Sequence, residues 1–243
     1  MRRSRFKQKQ AGVTLIEMLI AISLVAILVA GLLTAMRTGL ITYEKTGARL
    51  EANRRTMTVQ QMISSQLENA WAVAGACPSS DPEKPAAMLP FFDGTQSWLR
   101  LVTAYSLAEG SRGAPRIVEY QAQPVTGGGF RLVVAEHLYN GPSSTAAYCH
   151  DLQPRPVQLG SGAMVLADHL SVCRFAYHPA YDPYTFKETP WLDVWDTRVP
   201  SLPAAVRLEM KSASPVASRL PVVSFTIPIR AERNPLAQYA DSY

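Results

Sequence analysis

Between Val13 and Met36 the chain reads VTLIEMLIAISLVAILVAGLLTAM, an apolar run in which Glu17 is the sole ionisable residue. A helix of about 24 residues rises roughly 36 Å, enough to cross a hydrocarbon core of about 30 Å. Elsewhere hydrophobic residues come in short stretches, so the overall 47% hydrophobic content hides a strong asymmetry. Such a run suits a plain membrane anchor or a cleaved secretory signal. The latter has a shorter apolar stretch with a small-residue cleavage site at its far end. Here the small pair, Ala11-Gly12, comes before the apolar stretch.

A carboxylate in a membrane helix costs about 2.5–3.5 kcal/mol at a central position and less near the interface, so it normally has a partner. The obvious partner for Glu17 is a freshly cut α-amino group. Cleavage after Gly12 leaves an ammonium on Val13, one helical turn from Glu17 in the same chain and open to Glu17 of a neighbour in an assembly. Either pairing neutralises two charges where unpaired charge is least tolerated.

The formal net charge of +5 invites a nucleic-acid reading, but its distribution opposes one. Arg2, Arg3, Arg5, Lys7 and Lys9 stand in front of the apolar run, and the remainder is close to neutral. A basic flank before a membrane segment holds that end in the cytoplasm, which puts the rest of the chain on the far side.

Gly12-Val13-Thr14-Leu15-Ile16-Glu17 resembles the class III signal of type IV pilins and type II secretion pseudopilins. That pattern is a basic leader, Gly, an aromatic or apolar residue, Thr-Leu, one more apolar residue, then Glu. The resemblance implies that a prepilin peptidase cuts between Gly12 and Val13 and methylates the new amine of Val13. It also implies that Glu17 serves assembly. The one departure is Val13, where the family usually has Phe.

Met36, Tyr43, Leu50 and Met57 recur every seven residues, and Val59, Ile63, Leu67 and Ala70 prolong the stripe. Arg37, Glu44, Lys45, Arg49, Glu51, Arg54 and Arg55 make a polar face of mixed sign. This is helical periodicity, and Gly75 and Pro78 are expected to stop the helix. The expected organisation is a leader at 1–12, a membrane or filament-core helix at 13–36, its amphipathic extension at 37–76 and a β-rich head at 77–243.

In the head, residues 98–102, 116–121, 130–136, 171–177, 204–210 and 221–229 read as strands, with Gly127-Gly128-Gly129 turning the second into the third as an antiparallel hairpin. Residues 78–90 and 141–162 read as irregular. The fold class is therefore α+β, antiparallel sheets against the end of a long helix. Residues 178–203 carry Tyr181, Tyr184, Trp191 and Trp195. The bulk of tryptophan makes covering the edge of the core a better role for the pair than ligand binding.

Phe175-Ala176-Tyr177, Trp191 and Trp195, and Leu202-Pro203-Ala204-Ala205-Val206-Arg207-Leu208 are similar to the C-terminal part of J-type minor pseudopilins of type II secretion. The resemblance implies a periplasmic head on a single-pass inner-membrane helix, within a filament-tip complex that starts assembly. Its implied partners are the I-, K- and H-type minor pseudopilins, the major pseudopilin, the prepilin peptidase and the inner-membrane assembly platform. The alternative is a minor pilin of a type IV pilus or DNA-uptake system, which shares the same signal.

The three cysteines are Cys77, Cys149 and Cys173. An oxidising compartment allows one disulfide. Cys149 with Cys173 is the expected pair, closing a loop of about 23 residues for roughly 3 kcal/mol, with Cys77 the second-choice partner for either. No cysteine or histidine spacing suggests zinc. No G-x-S-x-G, H-E-x-x-H or phosphate-binding glycine loop is present. Asp168-His169 are strand neighbours whose side chains point apart. Asp182, Glu188, Asp193 and Asp196 lack a recognisable calcium spacing. No catalytic residue, metal or cofactor is therefore expected.

Overall fold

The computed structural model describes residues 12–81, 83–156, 160, 162–180, 189–196, 199–213, 223–231 and 233–236. The basic leader residues, the loop positions Tyr181, Asp182, Pro183, Tyr184 and Glu188, and the start of the last expected strand at Pro221 and Val222 lie outside them. The chain divides into two compact units, one up to Ala48 and one from Arg49.

A single helix, α1 (Leu15–Glu68), carries the apolar run and its continuation. In the first unit every described side chain from Gly12 to Gly47 is exposed. Gly31, Gly39 and Gly47 do not interrupt the helix. Four of its hydroxyls bond within the helix. Ser23 donates to the Ile20 carbonyl at 2.9 Å, and Thr34, Thr38 and Thr42 donate to the carbonyls of Ala30, Thr34 and Thr38 at 3.1, 2.9 and 2.8 Å. A hydroxyl bonded to its own preceding turn needs no water, so an apolar medium would leave none of these four groups orphaned.

The second unit holds the end of α1 and a set of strands: β1 (Ala70–Trp71), β2 (Ala74–Cys77), β3 (Ala87–Pro90), β4 (Asp93–Gly94), β5 (Trp98–Ser106), β6 (Ser111–Pro124) and β7 (Phe130–Leu138). A 3₁₀ segment (Pro142–Tyr148) then leads into β8 (Cys149–His150), β9 (Gln153–Pro154), β10 (Met164–His178), β11 (Ala205–Ser212) and β12 (Val223–Pro228). The main sheet runs β1-β5-β6-β7-β10-β11-β12, with β4 beside β5, and every pairing is antiparallel. The α+β reading holds.

The expected hairpin is present, with Tyr120 opposite Val134 and Pro124 opposite Phe130. Its turn works because Gly127, Gly128 and Gly129 take φ of 100°, 96° and 88°, which side-chain-bearing residues rarely adopt. Along β11 the side chains alternate: Val206, Leu208 and Met210 are buried, while Arg174 of β10 and Glu209 pair on the opposite face.

Val59, Ile63 and Leu67 of α1 are buried in one cluster with Leu101, Tyr120, Leu132, Phe175 and Leu208 of the sheet. Leu50 and Met57, from the heptad positions, stay exposed. The two stripes read as one in the sequence are therefore different faces of the helix. Gln66, fully buried, locks the helix to the sheet. Its Nε2 donates to Glu136 Oε1 at 2.6 Å and to the Tyr105 carbonyl at 3.2 Å, and its Oε1 accepts from the Tyr120 hydroxyl.

Three expectations are corrected. The helix ends at Glu68, not near residue 76, because sheet pairing begins at Ala70. Thr103 of β5 donates its hydroxyl to the carbonyls of Gln66 at 2.7 Å and Asn69 at 3.1 Å, satisfying the helix end that Gly75 was expected to terminate. The stretches read as irregular hold β3 and the segment from the 3₁₀ turn to β9. The disulfide joins Cys77 to Cys149, with Cα atoms 5.0 Å apart and a separation of 72 residues, while Cys173 is free and buried. Cys173 lies on β10 in the main core, whereas Cys149 sits beyond the 3₁₀ segment against β2. The fold, not proximity along the chain, brings the pair together.

Candidate functional site

At the N-terminal signal, Gly12 has open space where a side chain would stand, and Val13 is exposed. The next four residues make the first turn. Thr14 is the N-cap of α1 and Glu17 its third helical residue. The Glu17 amide donates to Thr14 Oγ1 at 3.4 Å, and Glu17 Oε2 accepts from the Thr14 amide and the Thr14 hydroxyl at 3.3 Å each. This is a capping box, in which two otherwise orphaned amides of a helix start are satisfied reciprocally. Its signature, Thr-x-x-Glu, stands in the sequence, but a lone acid in an apolar run draws attention first as a charge. The turn holds the Glu17 carboxylate one residue from Val13, the position that carries the new amine if the chain is cut after Gly12.

From Met18 to Met36 the helix carries no charged residue. From Leu15 to Gly47 its mean hydropathy reaches 2.7 with none of it covered. Length and composition suit a membrane span or a bundle of like helices.

The head contains a buried ionic cluster that the sequence did not reveal. Arg100 of β5, 1% exposed, donates through Nε to Glu119 Oε2 at 2.9 Å. One terminal nitrogen donates to the Tyr148 carbonyl at 3.0 Å and the other to that of Arg155. The guanidinium also lies against the rings of Tyr148 and Trp98, 4.8 and 5.0 Å from their centroids. Asp93, 2% exposed, sits 3.5 Å from Arg100 Nη1, and neither of its carboxyl oxygens has a hydrogen bond. Burial pushes the Asp93 carboxyl up to about 7 although the Arg100 charge opposes the shift. One cation faces two acids, so a proton on Asp93 balances the cluster.

Ser80, His150 and Asp151 meet on the surface near the disulfide. His150 Nε2 lies 3.1 Å from the Ser80 hydroxyl, but that hydroxyl donates to Asp151 Oδ2, which is 3.4 Å from the same ring nitrogen. In a nucleophilic triad the carboxylate orients the histidine through its other nitrogen and leaves the hydroxyl to the base. This arrangement restrains the hydroxyl instead. The Ser80 hydrogen bonds hold the Asp151 carboxyl below its ordinary range.

Asp168 pairs with Arg131 at 2.6 Å, and this hydrogen bond lowers its pKa. His169 has φ of 56° at a register shift in β10. The Asp168 carboxylate accepts from Arg131 and from the His169 backbone amide. Of the acids read as a loose calcium candidate, Asp193 and Asp196 are described, and no group of three or more ligand residues among the described residues is placed to hold a metal. Trp195 is buried and its Nε1 donates to the Ser201 carbonyl at 3.2 Å. Trp191 is half-buried beside His178 and beneath Arg207, whose guanidinium carbon is 4.2 Å from its ring centroid.

Residues 7–33 match the family model for the prokaryotic N-terminal methylation motif. The chain therefore carries a type IV pilin-like prepilin signal, and the matched residues include Gly12, Val13 and Glu17. No curated protein gives a significant match.

Proposed function

We propose that the chain is a J-type minor pseudopilin of type II protein secretion, a structural subunit of the filament-tip complex. It waits in the inner membrane with the leader in the cytoplasm and the head in the periplasm. Prepilin peptidase removes residues 1–12 and methylates Val13. The helix then leaves the bilayer sideways into a bundle of sibling helices, where apolar contacts replace lipid and Glu17 answers an amine. The I-, K- and H-type minor pseudopilins and the major pseudopilin are its neighbours, and the inner-membrane platform drives assembly.

The observation that carries this reading is the matched signal at the start of an uncovered apolar helix whose run to Met36 holds one acid. A surface of that kind must be covered by lipid or protein, and a pilin-like subunit uses both in turn. The J-type assignment draws support from the head. The segments similar to that family converge in one core, with Phe175, Trp195, Leu202 and Leu208 buried together. Tyr177 and Leu192 also exchange backbone hydrogen bonds at 2.8 Å.

Deletion of the gene tests the assignment. Loss of exported proteins from the medium with surface pili intact supports it. Loss of pili or of DNA uptake with secretion intact assigns the chain to a type IV pilus or uptake system instead.

A further inference from the structure

Residues 142–155, comprising the 3₁₀ segment, β8 and β9, lie as a flap over the face of β5 that carries Arg100. We propose that this flap is gated by redox state. With Cys77–Cys149 oxidised it is shut over the Arg100–Glu119–Asp93 cluster. When a dithiol reduces that bond, the flap lifts while the eight-stranded sheet stays folded.

Among the described residues the flap is held by the disulfide, by the buried side chains of Thr145 and Tyr148, by the Arg100 hydrogen bonds to the Tyr148 and Arg155 carbonyls, and by a few contacts to β2 and the residues after it. Apart from the disulfide, Thr145 Oγ1 donates to the Ala76 carbonyl at 3.3 Å and the Asp151 amide donates to that of Pro78 at 2.9 Å. Asp151 accepts from the Ser80 amide at 2.6 Å. Tyr148 is its buried aromatic, and it belongs to a small cluster with Phe91, Val102 and Ile117. No flap residue belongs to the main core, which α1 and the sheet build between them. Loss of the flap therefore removes little of what holds the head together.

The closed state also carries its own opposition. The flap supplies two carbonyls and a ring to Arg100 but shuts water away from the Arg100–Glu119 pair and the Asp93 carboxyl. A buried ion pair recovers much of its desolvation cost when water returns, and Asp93 has two carboxyl oxygens without hydrogen bonds to satisfy. At the flap tip Asp151 and Leu152 have φ of 47° and 64°, and Leu152 is exposed. These two residues form the turn between β8 and β9 and move with the flap as one piece. The covalent bond holds these opposing terms in place.

The chemistry is ordinary thiol–disulfide exchange. A thiolate of the dithiol attacks one sulfur and expels the other as a thiolate. Its second thiol then resolves the mixed disulfide, leaving the dithiol as a cyclic disulfide. The protein gains two electrons and two protons as the thiols of Cys77 and Cys149.

The test uses the full chain in detergent, treated with dithiothreitol and then iodoacetamide without denaturant. Cys173 is an internal reporter, because it stays buried unless the core opens. The expected result is two alkylated thiols, Cys77 and Cys149, with Cys173 unmodified. Amide hydrogen exchange should rise about tenfold or more across 142–155 and change less than about twofold in β6, β7 and β10. Three alkylated thiols with protection lost throughout overturn the proposal, since the bond then holds the fold and not a flap. Two alkylated thiols with the flap still protected overturn it as well, as does a disulfide that resists reduction in the folded chain. A Cys77→Ser/Cys149→Ser chain without reductant should show the same open flap. If that variant does not fold, reduction of the oxidised native chain decides the matter.

Discussion

Glu17 reaches back to Thr14, accepting from its amide and its hydroxyl at 3.3 Å each. The acid therefore has a structural task in the isolated chain, separate from the charge that the proposed assembly would use. Glu17→Gln separates the two, since glutamine serves a capping box nearly as well as glutamate but brings no charge to an amine. We expect Glu17→Gln to insert in the membrane normally and to assemble or become methylated as poorly as Glu17→Val. Crosslinking to sibling subunits and the N-terminal mass provide the readouts. Wild-type assembly by the Gln variant would assign the residue to capping alone.

The site before Val13 makes a second prediction. Gly12 has nothing within 4 Å of a side-chain position, and residue 12 precedes the helix. Gly12→Ala therefore leaves the fold undisturbed, and any effect must arise in the peptidase. We expect residues 1–12 to remain attached in most of the population, seen as the added leader mass on the membrane-resident protein. The wild type should begin at N-methyl-Val13.

Gly94 is held by a close approach. A Cβ there would lie 2.1 Å from the Tyr177 hydroxyl oxygen and 2.9 Å from the Trp98 carbonyl. That hydroxyl cannot move freely, because it donates to the carbonyls of Thr95 and Trp98. Gly94→Ala should cost about 1–3 kcal/mol, the usual range for overpacking. Tyr177→Phe in the same chain should return part of the loss, measured by thermal melts of the four variants.

Much of the architecture could be read from local pattern. The alternation of Val206, Leu208 and Met210 gives β11, three successive glycines give a hairpin turn, and Gly12 to Glu17 give the signal. What escaped depends on residues far apart in the chain. Alternation places Arg100 opposite Leu99 and Leu101, but nothing nearby says that residues 142–155 cover that face. Cys77 and Cys149 are 72 residues apart, and only the fold brings β2 to the 3₁₀ segment. Helix propensity continues past Glu68, and the stop comes from Thr103 on a strand 35 residues later.

The buried pair of Arg100 and Glu119 has a stability consequence. Breaking such a pair leaves an uncompensated charge and costs about 3–5 kcal/mol. Arg100→Met does this to Glu119 and also withdraws the donors to the Tyr148 and Arg155 carbonyls. We expect a loss in that range in urea melts of the detergent-solubilised chain. A large part should be recovered in Arg100→Met/Glu119→Gln, where less charge remains to be hidden.

Asp93 sets how stability responds to pH. Its carboxyl titrates near 7 in the folded chain against 3.8 ordinarily. Between those values the folded state binds more protons than the unfolded state, so stability falls as pH rises. The groups facing it are Arg100, Glu119, Asp196 and the Tyr177 hydroxyl. A shift from 3.8 to about 7 corresponds to a loss of up to roughly 4 kcal/mol across the window. Asp93→Asn holds the site neutral at every pH and removes this contribution. We expect the wild-type chain to lose stability from pH 5 to pH 8 and the Asn variant to lose much less, followed by urea midpoints at each pH. Parallel curves for the two chains would place the Asp93 carboxyl outside the titration and leave the charge imbalance around Arg100 to be met by another group.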